Sequence, residues 1–389
     1  MSVTPRPIAA FAIANALGMN EAEVVTALRE GRSGLGPSPI ALPFETAVGA
    51  LPGELPELPP ELAGWSTRAA RIAFHLISQL EEPLARLRAR YRPERIAILL
   101  GTSTAGAEAT EEAYQHYLAQ GSLPPEYDVF RHHTYGAVLS VVRALTGAEG
   151  PAWMISTACT SSAKPLASAQ RLMDADVIDA AIVGGIDTLC TMTLRGFHSL
   201  DALSTQICRP FSAERDGLNI GEAGALLLLA RDGDGVALLE AVGESSDAYH
   251  ISAPHPQGLG AKLAMERALA QAGCGPSDVD HVNAHGTGTR LNDTAEANAI
   301  FELFGPEIPV VSTKGYTGHT LGAAGGTEAV FSILPFREGW IPASIGAAPV
   351  DEAIRVNVPT ERTTGRFRRV LSNSFAFGGN NVSVLVRSV

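Results

Sequence analysis

One cysteine and two histidines stand where such side chains do chemistry. Cys159 lies in Ile155-Ser-Thr-Ala-Cys-Thr-Ser-Ser162, between an apolar, strand-like stretch and the helical pattern Ala163–Met173. A thiol at a helix N-terminus meets unpaired N–H groups and the positive end of the dipole, both of which favour thiolate. For this residue alone, an inert core cysteine is the commoner reading. His285 sits in Asn283-Ala-His-Gly-Thr-Gly-Thr289, and His319 in the glycine-rich run Ser312–Gly325, which also holds Lys314. Each is flanked by glycines that let backbone and substrate approach closely. A third glycine-rich turn, Ser372–Asn381, offers N–H groups for an anion-stabilising pocket. Such a set offers a sulfur nucleophile, two imidazoles and N–H donors able to stabilise an anion.

The elements that must position these groups alternate between strand and helix, which indicates an α/β fold. An internal repeat runs through them. Ile98–Thr104 ends a strand much as Val282–Thr289 does, Met154–Cys159 with its helix echoes Val310–Gly315, and Ala180–Asp187 echoes Val370–Val386. Two similar halves joined near Asp232-Gly-Asp-Gly235 are expected, residues 1–234 carrying the cysteine and 235–389 the histidines and Lys314. Ile8–Leu17 reads as a first strand, too short and uncharged for a signal peptide. Phe44–Leu62, with four prolines, reads as an exposed connection without regular structure.

At 389 residues and 46% hydrophobic content, the chain exceeds what one core usually supports, about 250–300 residues. Its four cysteines show neither a C-x-x-C pair nor a disulfide framework, so a reducing, cytoplasmic compartment is expected. No stretch approaches the ~18 apolar residues of a membrane span. A net charge of −12 argues against nucleic acid as a partner.

The residues also carry a family resemblance. The chain resembles the β-ketoacyl-acyl carrier protein synthases, or ketosynthases, of the elongating Cys-His-His class, over almost its whole length from about Leu17. Cys159 matches the family nucleophile, His285 and His319 its two histidines, Lys314 the lysine of the STK-x-x-x-GH motif, and Glu328 the acidic residue nine positions after that histidine. Arg209-Pro-Phe, Asp216-Gly and Gly221-Glu222 match a further signature. The resemblance implies the thiolase fold, two duplicated halves packed in five αβαβα layers. It also implies a decarboxylative Claisen condensation between an acyl group on Cys159 and a malonyl thioester.

In that reading the backbone N–H groups of Cys159 and Phe377 form the oxyanion hole. His285 and His319 stabilise the malonyl thioester oxygen, and Lys314, paired with Glu328, organises them. Thr287 and Thr289 hydrogen-bond the pantetheine amides, and Thr104 stands at the acyl pocket where a larger aliphatic gate is usual. Arg68 and Arg71, on the helical stretch Thr67–Leu80, and Arg209 dock the acidic carrier protein. No cofactor is expected beyond the carrier's phosphopantetheine arm, and no metal. A dimer is expected, with itself or with a chain-length-factor subunit, through a surface that includes Arg131–Tyr135.

The chain departs from the family at Ala376-Phe-Gly-Gly-Asn-Asn381, where Gly-Phe-Gly-Gly-Thr-Asn is usual, so a Cβ at Ala376 and a narrower backbone range enter a loop expected to move. The smaller Thr104 is expected to admit longer or more polar chains. An N-terminal strand without the Val-Thr-Gly-Leu-Gly signature, with Asn219–Ala223 and Ser252–Pro256, suggests a specialised branch such as aryl-polyene or other secondary-metabolite synthesis. A scaffold subunit active only in a heterodimer is the alternative. A Cys159–His285 hydrolase and a Cys/His/His zinc site stand further off, the latter because the short paired ligand spacings are missing.

Overall fold

The computed structural model describes residues 3–389. Its spine is a ten-stranded sheet in the order Val310–Val311, His281–Asn283, Arg369–Ala376, Asn380–Arg387, Ala237–Ser246, Arg6–Asn15, Ala223–Ala230, Ala180–Asp187, Ile96–Gly101, Ala152–Ile155. The first five strands come from the C-terminal part of the chain and the last five from the N-terminal part. From its outer edge inward, each set runs third, second, fourth, fifth, first in sequence order. The halves join where Arg6–Ile8 pairs antiparallel with Ala237–Leu239. The same strand order twice is the structural form of the repeat seen in sequence.

Several strands read as unbroken apolar runs because both faces are covered. Every residue of Ala223–Ala230 and of Ala180–Asp187 is buried. The covering layer between the two halves is a pair of helices, Lys164–Asp174 and Ala324–Glu338, each touching strands of both halves. The second is buried from Ala324 through Pro335. Small residues let the pair meet: a Cβ on Gly325 would lie 2.6 Å from that of Ala163. Outside, Arg68–Gln79 and Gly136–Thr146 cover one half, and Leu259–Ala272 and Arg290–Phe304 the other. The result is helix, sheet, helix, sheet, helix. The Thr67 side chain caps the first of these outer helices by accepting from Ala70 N, and its apolar stripe includes Ile72, Ala73, Leu76 and Ile77.

Phe44–Leu62 corrects an expectation. Ala47–Gly49 within it forms a short strand paired in parallel with Ile220–Gly221, and Leu51, Leu55 and Leu58 are buried. Prolines prevent long elements there, but the leucines between them anchor the connection to the core. No helix among the described residues is long and apolar enough to cross a membrane.

Candidate active site

Cys159 follows the strand Ala152–Ile155, and Ala158 before it takes a φ of 51°, a left-handed conformation that turns the chain sharply. The helix begins only at Lys164, so a turn over Thr160–Ala163 separates the thiol from the helix N-terminus. Burial pushes the Cys159 thiol up to about 12, against a lesser opposing pull from Lys314. Burial therefore favours the neutral thiol and opposes the thiolate preference expected of a helix N-terminus, from which Cys159 is set back.

The C-terminal half brings both histidines to this sulfur. His319 Nε2 lies 2.9 Å from Cys159 Sγ, and the imidazoles of His285 and His319 stand edge to face, 5.1 Å between centroids. Burial and the Lys314 charge push both well below 6.5, His285 feeling His319 as well, so both are neutral. Among the described residues His319 Nδ1 is buried without a hydrogen-bond partner. An unpartnered buried N–H is costlier than an unpartnered lone pair, which places the His319 hydrogen on Nε2, facing the sulfur. Ligand atoms of Cys159, His285 and His319 lie within 4.8 Å of one another. Tetrahedral zinc would hold sulfur and nitrogen roughly 3.5 Å apart; the observed 2.9 Å is a hydrogen-bond contact.

Lys314, fully buried, donates to Glu328 Oε1 at 2.5 Å and to the His285 carbonyl, and lies 3.4 Å from His285 Nδ1. Burial raises Glu328 to about 7 while Lys314 opposes the rise. The ammonium is thus held between a carboxylate and the His285 backbone, beside both imidazoles.

A cavity of about 430 Å³ opens in front of these groups, lined among others by Cys159, His285, Thr287, Thr289, His319 and Phe377. Thr287 Oγ1 and Thr289 Oγ1 lie 2.9 Å apart. Phe377 stacks on Phe197 at the mouth, 5.7 Å between centroids. Its turn, Phe377–Gly379, closes a hairpin in which Ala376 pairs with Asn380. Gly378 and Gly379 carry the positive φ values, 82° and 73°. Ala376 ends a strand in extended backbone, where its Cβ is unstrained.

Three buried acids fix the loops, and sequence reasoning did not single them out. Glu296 accepts from the N–H groups of His285 and Gly286 at 2.8 and 2.7 Å; burial raises it to about 7. Asp293 accepts from Thr287 N at 2.9 Å and Phe211 N at 2.9 Å. Asp187 accepts from Thr102 Oγ1, Ser103 N, Thr104 Oγ1 and Gly322 N, tying the loop after His319 to the other half. Their signal was available: acids three residues apart at the start of a helix, and one acid ending an otherwise apolar strand.

Several expected residues have partners within the chain that the sequence did not show. Thr104 is buried with its hydroxyl 2.9 Å from Asp187 Oδ1 and does not line the cavity. Arg68 makes two hydrogen bonds to the buried carboxylate of Glu222, 2.7 and 2.5 Å. Arg71 holds the carbonyls of Leu55 and Pro56 and pairs with Glu57. Arg209 pairs with Glu214. Each of the three arginines thus has a carboxylate or carbonyl partner within the chain.

Family models for the β-ketoacyl synthase N-terminal and C-terminal domains match residues 7–234 and 236–348. The chain is 35% identical over 310 residues to 3-oxoacyl-[acyl-carrier-protein] synthase 2 of Staphylococcus aureus, covering 75% of this chain and 77% of that protein. Among solved structures it is similar to a chain in the complex of the ketosynthase ApeO with its chain length factor ApeC from Xenorhabdus doucetiae. That match has a TM-score of 0.94 and 37% identity and covers 99% and 98% of the two chains. A β-ketoacyl synthase from Burkholderia phymatum aligns with TM-score 0.89 and 27% identity over the whole of both chains.

Proposed function

Because the chain belongs to the β-ketoacyl synthase family, we propose that it catalyses the decarboxylative condensation of an acyl thioester with a malonyl thioester on acyl carrier protein. The observation that carries this is the convergence of Cys159, His285 and His319 on one cavity floor. Cys159 Sγ attacks the acyl carbonyl, and the His319 Nε2–H opposite it supports the charge that develops on sulfur. The thiol proton leaves with the departing pantetheine sulfur. With the acyl group on Cys159, the two neutral imidazoles face the malonyl thioester oxygen and donate to it as carbon dioxide departs and the enolate forms. The enolate carbon then attacks the acyl-Cys159 carbonyl, the C–S bond to Cys159 breaks as the β-ketoacyl product forms, and the departing thiolate takes up one proton from water. Backbone N–H groups of Cys159 and Phe377 hold each oxyanion; losing one such donor costs about 10²–10³ in rate. Burial, with the Lys314 charge adding to it, keeps both histidines neutral, and Glu328 offsets the burial of that charge.

The proposed partners are an acyl carrier protein and a second thiolase-fold chain, either a copy of this one or a chain length factor. The edge strand Ala152–Ile155 is paired on one side only, Trp153 on it is exposed, and the exposed Tyr135 reaches Ser156 just beyond it. Arg131–Tyr135 is the candidate for the shared surface. Likeness to a ketosynthase that works with a chain length factor supports a secondary-metabolite, aryl-polyene-like branch. Four free thiols support a reducing, cytoplasmic setting, and the reaction as written calls on no cofactor. A scaffold role is not favoured, because nucleophile and both histidines are in place. The test is stoichiometry in a reconstituted reaction: one carbon dioxide per β-ketoacyl carrier formed, both lost in Cys159→Ala. Free acid released from an acyl carrier without malonyl donor would point instead to a hydrolase.

A further inference from the structure

Lys164, a side chain outside the steps above, joins the helix that follows the nucleophile's turn to the turn that carries Phe377. It is the first residue of the helix Lys164–Asp174, five positions after Cys159. Its Nζ donates to Asn380 Oδ1 at 3.0 Å. Glu244 Oε1 lies further off at 3.8 Å, and Arg171 holds the other oxygen of that carboxylate at 2.6 Å. With its side chain only 19% exposed, Lys164 thus has its short contact with a neutral amide. Ordinary surface charge pairing does not account for that.

Asn380 closes the Phe377–Gly379 turn by pairing with Ala376, and it is one of the residues at which the chain departs from the usual family turn. The turn's other backbone ties run to the loop beyond the strand Ala237–Ser246: Gly378 N donates to Ile251 O at 2.7 Å and Asp247 N to Gly379 O at 2.9 Å. Ile251 is largely exposed, so those ties come from the surface. The Lys164 contact comes from the first residue of the helix that follows the Cys159 turn.

We propose that Lys164 is a positioning residue: by holding Asn380 it fixes the Phe377 N–H over the carbonyl bonded to Cys159. This rests on the reading that Cys159 takes the acyl group and Phe377 supplies an oxyanion donor. A misplaced donor slows bond formation without weakening thioester binding, so the effect falls on the maximal acylation rate and not on the concentration at half-saturation.

The experiment is single-turnover acylation of the full chain by hexanoyl-pantetheine, followed by intact mass, for wild type, Lys164→Met, Lys164→Arg, Asn380→Leu and the Lys164→Met/Asn380→Leu double variant. Expected is an about tenfold slower maximal rate in both single neutral variants, less than the ~10²–10³ of losing a donor outright. Half-saturation stays unchanged, Lys164→Arg stays near wild type, and the double variant is no slower than either single one. Circular dichroism of each variant separates this from misfolding. Additive losses, a change in half-saturation alone, or unchanged rates overturn the proposal. A wild-type protein that takes no hexanoyl group on Cys159 overturns the underlying reading instead.

Discussion

The neutral resting thiol has a direct chemical consequence. With burial holding Cys159 at about 12, about 1 in 10⁵ of it is ionised at pH 7. An unperturbed thiol near 8.5 is about 3% ionised there, some 3,000-fold more. The more basic thiolate is the better nucleophile, by roughly 40-fold over 3.5 pH units at a Brønsted slope of 0.4–0.5. The two factors leave alkylation of Cys159 about 100-fold slower at pH 7 than that of an exposed thiol. The assay is the iodoacetamide rate at Cys159 between pH 6 and 9.5, read by peptide mapping, with the urea-unfolded chain as reference. The rate should rise tenfold per pH unit with no plateau. A plateau below pH 9 would refute the reasoning, because it would mean that the turn and His319 stabilise thiolate more than desolvation opposes it.

Three further predictions rest on buried charge. Glu328→Gln leaves Lys314 buried without its counter-charge and should cost ~3 kcal/mol in urea unfolding, while Lys314→Met/Glu328→Gln recovers most of it; a double variant as unstable as both losses summed would contradict the pairing. Arg68→Ala should lower the melting temperature, by ~2 kcal/mol of stability, because Glu222 stays buried without its partner. Its KM for the carrier should not move; a raised KM at unchanged stability would restore Arg68 as a docking residue. His281 is held at about 4 by burial, below its unfolded value near 6.5, so the unfolded chain binds the extra proton. The stability tied to this group is complete above pH 6.5 and is lost as pH falls to 4, by up to ~3 kcal/mol. The advantage of wild type over His281→Gln should shrink across that window; an advantage constant with pH would contradict it.

Much of the site was legible because catalytic loops announce themselves in sequence. Glycines flanking His285 and His319, and the STK-x-x-x-GH spacing, mark backbone that approaches a ligand closely. The repeat also foretold one strand order used twice. The charge partners were not legible. Arg68 reads as a free cation on a helix, and only the fold shows that Glu222, far along the chain, lies beneath it. Thr104 is alike, since its hydroxyl finds Asp187 on a neighbouring strand. The thiol failed differently. Sequence placed Cys159 near a helix start, but the turn over Thr160–Ala163 and the burial that pushes the thiol up are properties of packing.

The most direct measurement is intact-mass spectrometry of the purified chain with a panel of acyl carrier thioesters, followed by malonyl carrier and peptide mapping. The account predicts an acyl adduct on Cys159 that disappears as a β-ketoacyl carrier two carbons longer forms. An adduct that persists after malonyl carrier is added, or one mapped to another cysteine, would contradict it.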